Sequence, residues 1–205
     1  MIIGILDLQG DIYSHMQALQ DCKVSVKRIR TLHDLETCQG IILPGGESTS
    51  MEYLIKKSKL DKPLLNFMQK KPVFATCAGL ILLSKHILFS SQATGLFPIL
   101  DISIERNGYG RQKNSIKTEL PCTFLNKPKQ KIPAFFIRAP IIRNIHSKNI
   151  NILSTYHNKP TLIQQDFILA ATFHTELSKS RTLHRYFINI IEKYQSNNYV
   201  QLPEP

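Results

Sequence analysis

Apolar positions along this chain change period several times, and each change marks an element. Ile2 to Leu8 is a mostly apolar run of strand length; after Gln9-Gly10-Asp11, residues Ile12, His15, Met16 and Leu19 recur at helical spacing. Val24 to Ile29 alternates as a strand does, and Ile41-Ile42-Leu43 reads as a short buried strand that stops at Pro44-Gly45-Gly46. Helical patterns over about 48–57 and 60–69 lead to Pro72–Thr76, an apolar run with β-branched and aromatic residues. That run passes without a spacer into a helical pattern at Leu80, Leu83 and Ile87. Between about 100 and 165 helical periodicity nearly vanishes, and short strand candidates follow one another at Asp101–Glu105, Ala134–Ile137, Ile152–Tyr156 and Thr161–Gln165. Phe167–Phe173 is apolar again and ends at His174-Thr175-Glu176, after which Thr182–Tyr194 has the spacing of a closing helix.

Strands alternating with helices predict an α/β fold: an open, mostly parallel sheet with helices on both faces. The 100–165 region is expected to supply short antiparallel strand additions at the sheet edge. At 205 residues, 42% hydrophobic and 20% charged, the chain can bury a sizeable core, and nothing divides it. One domain is expected over 1–195, followed by a disordered, polar, proline-ended tail over 196–205.

Charge and cysteine usage narrow the class. The net charge of +11 raises nucleic acid as a partner, but the basic residues are scattered (Lys23, Lys27, Arg28 and Arg30; Lys56, Lys57 and Lys59; Lys127, Lys129 and Lys131) and form no recognised module. A solvated basic surface is the preferred reading, and a basic nucleic-acid binder is kept as the weakest of the competing ones. No apolar run reaches membrane-spanning length and the N-terminus lacks a signal-peptide pattern, so a cytoplasmic location and no membrane partner are expected. Cys22, Cys38, Cys77 and Cys122 lie far apart, which suits neither a metal site nor a disulfide scaffold.

In open α/β sheets the reactive site lies beyond the carboxyl ends of the strands. Cys77 occupies such a place, at a strand-to-helix joint flanked by the small residues Ala75, Ala78 and Gly79, as a tight nucleophile elbow requires. A helix N-terminus favours thiolate chemistry and can receive an oxyanion on its amides. Read from this stretch alone, Cys77 can also be a small buried hydrophobe. A thiol nucleophile needs a base, and the base needs a carboxylate to fix its tautomer; His174 and Glu176, at the end of the last strand, fit those roles. Pro44-Gly45-Gly46-Glu47-Ser48 reads either as an oxyanion loop or as an ordinary glycine turn before a helix cap. It lacks the lysine of a phosphate-binding loop.

Several segments, taken together, resemble the glutaminase-subunit family of pyridoxal 5'-phosphate synthase, within the class I triad-type glutamine amidotransferases. They are Leu8-Gln9-Gly10, Pro44–Thr49, Thr76-Cys77-Ala78-Gly79, Glu105–Gln112, Phe136–Pro140 and Thr172–Leu177. The resemblance implies that Cys77 attacks the side-chain amide of L-glutamine, His174 protonates the departing ammonia and Glu176 orients His174. It further implies an oxyanion hole from the Gly46 and Ala78 amides, glutamine contacts from Gly46, Glu47, Ser48, Arg106, Ile137 and Arg138, and Gln9 near the site. Ammonia would pass to a synthase subunit in a hetero-oligomer, with no cofactor or metal on this chain.

Three positions depart from the family's usual pattern. Ala75 replaces the first glycine of the elbow, Thr175 replaces a proline between the triad histidine and glutamate, and Gly108 stands where a small side chain is usual. None removes a reacting atom. The competing readings are a glutaminase of another biosynthetic pathway, which would not need Glu105–Gln112 or Phe136–Pro140, and an inactive scaffold, against which the intact triad argues.

Overall fold

In the computed structural model, residues 1–110, 115–125 and 130–199 are described. The first half alternates as expected. β1 (Ile2–Leu6), α1 (Ile12–Asp21), β2 (Ser25–Ile29), α2 (Leu32–Glu36), β3 (Gly40–Leu43), α3 (Ser48–Lys57), α4 (Asp61–Met68), β4 (Val73–Thr76) and α5 (Ala78–Leu83) follow in order. The second half is strand-rich: β5 (Ser84–Leu88), β6 (Leu100–Glu105), β7 (Ile116–Pro121), β8 (Lys131–Phe136), β9 (Ile141–Ile145), β10 (Ile150–Tyr156), β11 (Lys159–Gln165) and β12 (Ile168–Ala171), before α6 (Thr182–Tyr199) closes the chain.

Seven strands form the central sheet in the order β10-β11-β12-β4-β3-β1-β2. The five from β12 to β2 are parallel, and β11 and β10 add antiparallel to β12 at one edge. Period-two alternation sends successive residues to opposite faces. Val73 and Ala75 of β4 pack with Ile168 and Ala170 of β12 under α3, α4 and α5. Phe74, Leu169 and Ala171 pack on the other face with Leu19 of α1 and Leu183, Phe187 and Ile191 of α6. The open, mostly parallel sheet covered on both faces is therefore the observed architecture.

The strand additions are more varied than edge extensions. Only β10 and β11 join the central sheet; β5, β6 and β9 form a separate three-stranded sheet, and β7 pairs with β8 in a two-stranded one. Ile87, expected on the elbow helix, lies in β5. The helix ends at Leu83 because Ser84 turns extended (ψ 136°) and its hydroxyl donates to the Leu80 carbonyl, and the chain then pairs with β6. The closing helix, expected to stop at Tyr194, continues to Tyr199, so the tail expected to be disordered from Ser196 is helical over its first residues. Residues 200–205 lie outside the described residues. Among the described residues no helix is long and apolar enough to cross a membrane.

Candidate active site

Four adjacent parallel strands, β12, β4, β3 and β1, deliver their carboxyl ends to one place. Cys77 follows β4 directly and takes φ 46°, ψ −102°, a left-handed conformation unusual for a side-chain-bearing residue and typical of strained functional turns. Its amide donates to the Ala171 carbonyl of β12 at 2.9 Å, and its carbonyl accepts from Ile81 in the first turn of α5 at 3.2 Å. Gly79 is what lets the turn pack this closely: a Cβ there would stand 2.3 Å from the Leu43 carbonyl oxygen of β3. Ala75, by contrast, sits inside the sheet and its methyl joins the apolar core without displacing the turn.

His174 is held from two sides. Its backbone exchanges both hydrogen bonds with Phe135 of β8 (2.9 and 3.2 Å), so the separate β7–β8 sheet clamps the residue that follows β12. Its Nδ1 is 2.7 Å from Glu176 Oε1, which leaves Nε2 free on a ring that lines the same cleft as Cys77. Glu176 has no exposed side-chain surface. Thr175 does not leave the segment loose, since its carbonyl accepts from both the amide and the hydroxyl of Ser178, at 3.1 and 2.9 Å.

Electrostatics match this geometry. Burial alone would lower the His174 pKa, but Cys77 and the bonded Glu176 carboxylate beside the ring outweigh it, holding it up to about 10. Burial would raise Glu176; His15 and His174 beside it instead hold its carboxyl well below the usual range. His174 thus carries its proton at neutral pH.

A cleft of about 330 Å³ opens over the thiol, lined by Gln9, Gly46, Glu47, Ser48, Cys77, Ile81, Arg106, Asn107, Ile137, Arg138 and His174. All the expected substrate contacts meet there. Glu176 lies behind His174, and Ala78 is buried behind Cys77 as the first residue of α5, where its amide has no partner within the helix. The Gly45 carbonyl accepts from the Asp11 amide at 3.2 Å, so the Gly46 N–H, trans across the same planar peptide, points the opposite way. Gln9 Oε1 accepts from the Glu47 amide at 2.9 Å and fixes this loop. The Glu47 carboxylate caps α3, accepting from Thr49 and Ser50 at 3.0 and 2.6 Å; these bonds overcome burial and lower its pKa to about 2.

Arg106 is oriented by Thr49, the last residue of the Pro44–Thr49 motif, and by Gln92, which the sequence did not single out. Its Nη2 donates to Gln92 Oε1 at 3.0 Å and its Nη1 to Thr49 Oγ1 at 3.3 Å; Gln92 Nε2 in turn donates to Glu52 Oε2 at 2.5 Å. Arg106 Nε is buried without an acceptor among the described residues. Asn107 and Arg138, which also line the cleft, share left-handed φ values of 53° and 49°. Gly108 is not a loose point: a Cβ there would meet Ile141 Cγ1 at 2.7 Å, so Ile141 fills the space a side chain would take. Arg111 and Gln112 of the quoted motif lie outside the described residues. Ile81 and Asn107 were missed as cleft residues, although Asn107 adjoins Arg106 in that motif.

An open α/β sheet whose strand ends bring a thiol and an imidazole to one cleft, with a buried carboxylate bonded to the imidazole, defines the class, an α/β protein with a cysteine at its strand-to-helix elbow. The chain belongs to the SNO glutamine amidotransferase family, which it matches over residues 5–193. It is similar to the pyridoxal 5'-phosphate synthase subunit PdxT of Thermotoga maritima (42% identity over 196 residues, 94% of this chain and 100% of the relative). The PdxT of Desulforamulus reducens is 40% identical over 193 residues, with the same coverage. A crystal structure of a glutamine amidotransferase superposes with a TM-score of 0.85 at 31% identity, covering 94% of this chain and 100% of that one.

Proposed function

We propose that this chain is the glutaminase subunit of a pyridoxal 5'-phosphate synthase. It hydrolyses L-glutamine to glutamate and ammonia through a thioester on Cys77. The observation that carries the reading is the Cys77 thiol and the His174 ring in one cleft, with His174 Nδ1 bonded to the buried Glu176 Oε1 at 2.7 Å. Cys77 sulfur attacks the side-chain amide carbon, and its proton resides on His174. The tetrahedral oxyanion is received by the Gly46 and Ala78 amides. Collapse breaks the C–N bond, His174 gives its proton to the leaving nitrogen, and ammonia departs. Water, deprotonated by His174, then cleaves the thioester and releases glutamate.

Arg106 meets the substrate α-carboxylate, since a guanidinium offers carboxylates paired donors. Gly46, Glu47, Ser48, Ile137 and Arg138 shape the rest of the cleft, and Gln9 holds the loop. The reading assigns ammonia to a separate synthase subunit in a hetero-oligomer, supported by relatives of about the same length that are named as one subunit, PdxT, of pyridoxal 5'-phosphate synthase. It takes residues 1–195 as one domain acting in the cytoplasm, and its chemistry calls for no cofactor or metal.

Cys77→Ala tests it. Hydrolysis of glutamine and labelling by an electrophilic glutamine analogue should both vanish in a folded protein, whereas alanine at Cys22, Cys38 or Cys122 leaves both nearly intact. Burial pushes the Cys38 and Cys122 thiols up, Cys122 to about 12, which keeps them unreactive. Activity of Cys77→Ala within about tenfold of wild type refutes the nucleophile.

A further inference from the structure

Behind Glu176 lies a buried polar patch that the thiol chemistry leaves unexplained. His15 of α1, His184 of α6 and Thr76 of β4 are all fully buried there, among Phe74 and Phe187. His15 Nε2 lies 3.6 Å from Glu176 Oε2 and 3.3 Å from Thr76 Oγ1, and His15 Nδ1 lies 3.0 Å from His184 Nε2. Glu176 Oε1 is taken by His174, while Oε2 has no hydrogen bond among the described residues, and the His15 ring is the polar neighbour that faces it. Among the described residues no set of three or more His, Cys, Asp or Glu side chains could hold a metal ion, so these groups answer only to one another.

The contacts select one tautomer. Burial lowers the pKa of His15 and takes that of His184 down to about 3, so each is neutral and carries one N–H. If His15 carried its hydrogen on Nδ1, its Nε2 lone pair would face the Glu176 carboxylate. His184 would then have to accept at Nε2 and bury an unpaired N–H at Nδ1, an atom with no partner. The opposite assignment removes both faults: His184 Nε2–H donates to His15 Nδ1, and His15 Nε2–H faces Glu176 Oε2 and Thr76. An unpaired lone pair at His184 Nδ1 is the lesser cost.

We propose that His15 is a positioning residue for the triad, its Nε2–H steadying the second oxygen of Glu176 and His184 fixing it in that tautomer. The proposal rests on the triad reading above. Asp11, Glu176, His174 and His184 are the titratable groups that act on His15, and Arg181 acts on His184. The role is to hold the Glu176 carboxylate in line with His174 Nδ1 as the imidazole gives up and regains its proton.

Two variants of similar polarity separate this role from mere packing. Glutamine places its amide nitrogen near the histidine Nε2 position, and asparagine places its own near Nδ1. In the full-length chain assayed with its synthase subunit, His15→Asn should lower kcat for glutamine hydrolysis roughly tenfold, with KM within about twofold of wild type. His15→Gln should stay within about threefold of wild type. Equal activity of Asn and Gln variants, a loss confined to KM, or an unchanged His15→Asn overturns the proposal. If either variant does not fold, His184→Phe serves instead: it removes the donor to Nδ1 and should lower kcat with KM preserved, and an unchanged kcat overturns the proposal. His174→Asn run alongside separates the two readings, since substantial activity there would sink the triad itself.

Discussion

Gly45 is the residue whose smallest possible enlargement should harm the chemistry most. A Cβ on Gly45 would stand 2.2 Å from His174 Cε1 and 2.8 Å from Nδ1, whereas ordinary contact begins at 3.4 Å. In Gly45→Ala the ring must therefore retreat by about 1 Å, and the 2.7 Å bond to Glu176 Oε1 must stretch or break. The imidazole side chain is 12% exposed and can yield toward the cleft, so the fold should survive with little change in melting temperature. A misplacement of about 1 Å in a reacting group costs on the order of 10²-fold. Gly45 does not line the cleft, so the loss should fall on kcat, with KM for glutamine within about twofold. The assay is glutamate release at varied glutamine with the synthase subunit present, beside alkylation of Cys77 by iodoacetamide to show that the thiol is still reached. A kcat within about threefold of wild type would refute the packing of His174 against Gly45.

Arg106→Ala should raise KM for glutamine by about 10- to 150-fold with a smaller effect on kcat, the loss expected for a hydrogen bond to a charged group. Gln92→Ala, which frees the guanidinium without deleting it, should raise KM by about three- to tenfold; KM unchanged in both would remove Arg106 from substrate binding. Stability should also report the His174–Glu176 pair. His174 is raised to about 10 in the fold, so its contribution is full below its ordinary value of 6.5 and is lost as pH rises toward 10. Glu176 is lowered, so its contribution is full above its ordinary value of 4.5 and is lost as pH falls below it. The melting-temperature gap between wild type and His174→Asn should therefore be widest between about pH 4.5 and 6.5 and narrow on both sides; a gap flat from about pH 3 to 10 contradicts the shifts.

Elements whose burial repeats with a clean period could be read from residues alone. β3 and β4 are buried at every position, and α3 and α4 keep helical spacing, so their bounds lie close to expectation. β7 escaped notice because its inner positions are Ile116, Thr118 and Leu120, with only Leu120 fully buried, so two apolar residues separated by a threonine make a weak repeat. α2 is too short for a period to show; its signal is the capping box in which Thr31 and Asp34 satisfy each other's backbone amides. Ile87 misled for the opposite reason. Its spacing from Leu80 and Leu83 suits a helix, but pairing with β6 places it in a strand, and a one-dimensional pattern cannot report a partner strand.

The same limit divides the site. Cys77, His174 and the Gly45-Gly46 loop each follow a parallel strand, so their convergence follows from topology, and short motifs display them. His15 was visible only as one member of an apolar stripe, because α1 buries it alongside Ala18 and Leu19 and periodicity reports burial without chemistry. Its hydrogen-bonding neighbour His184 is 169 residues away, on the helix that covers the same sheet face. What makes such a residue necessary is the charge balance underneath the thiol. Glu176 brings a negative charge to full burial, and His174 supplies one compensating positive charge that it must surrender during the reaction. When that proton leaves, the carboxylate's remaining support comes from dipoles that cannot titrate away, and a neutral N–H fixed by a second neutral histidine is such a dipole.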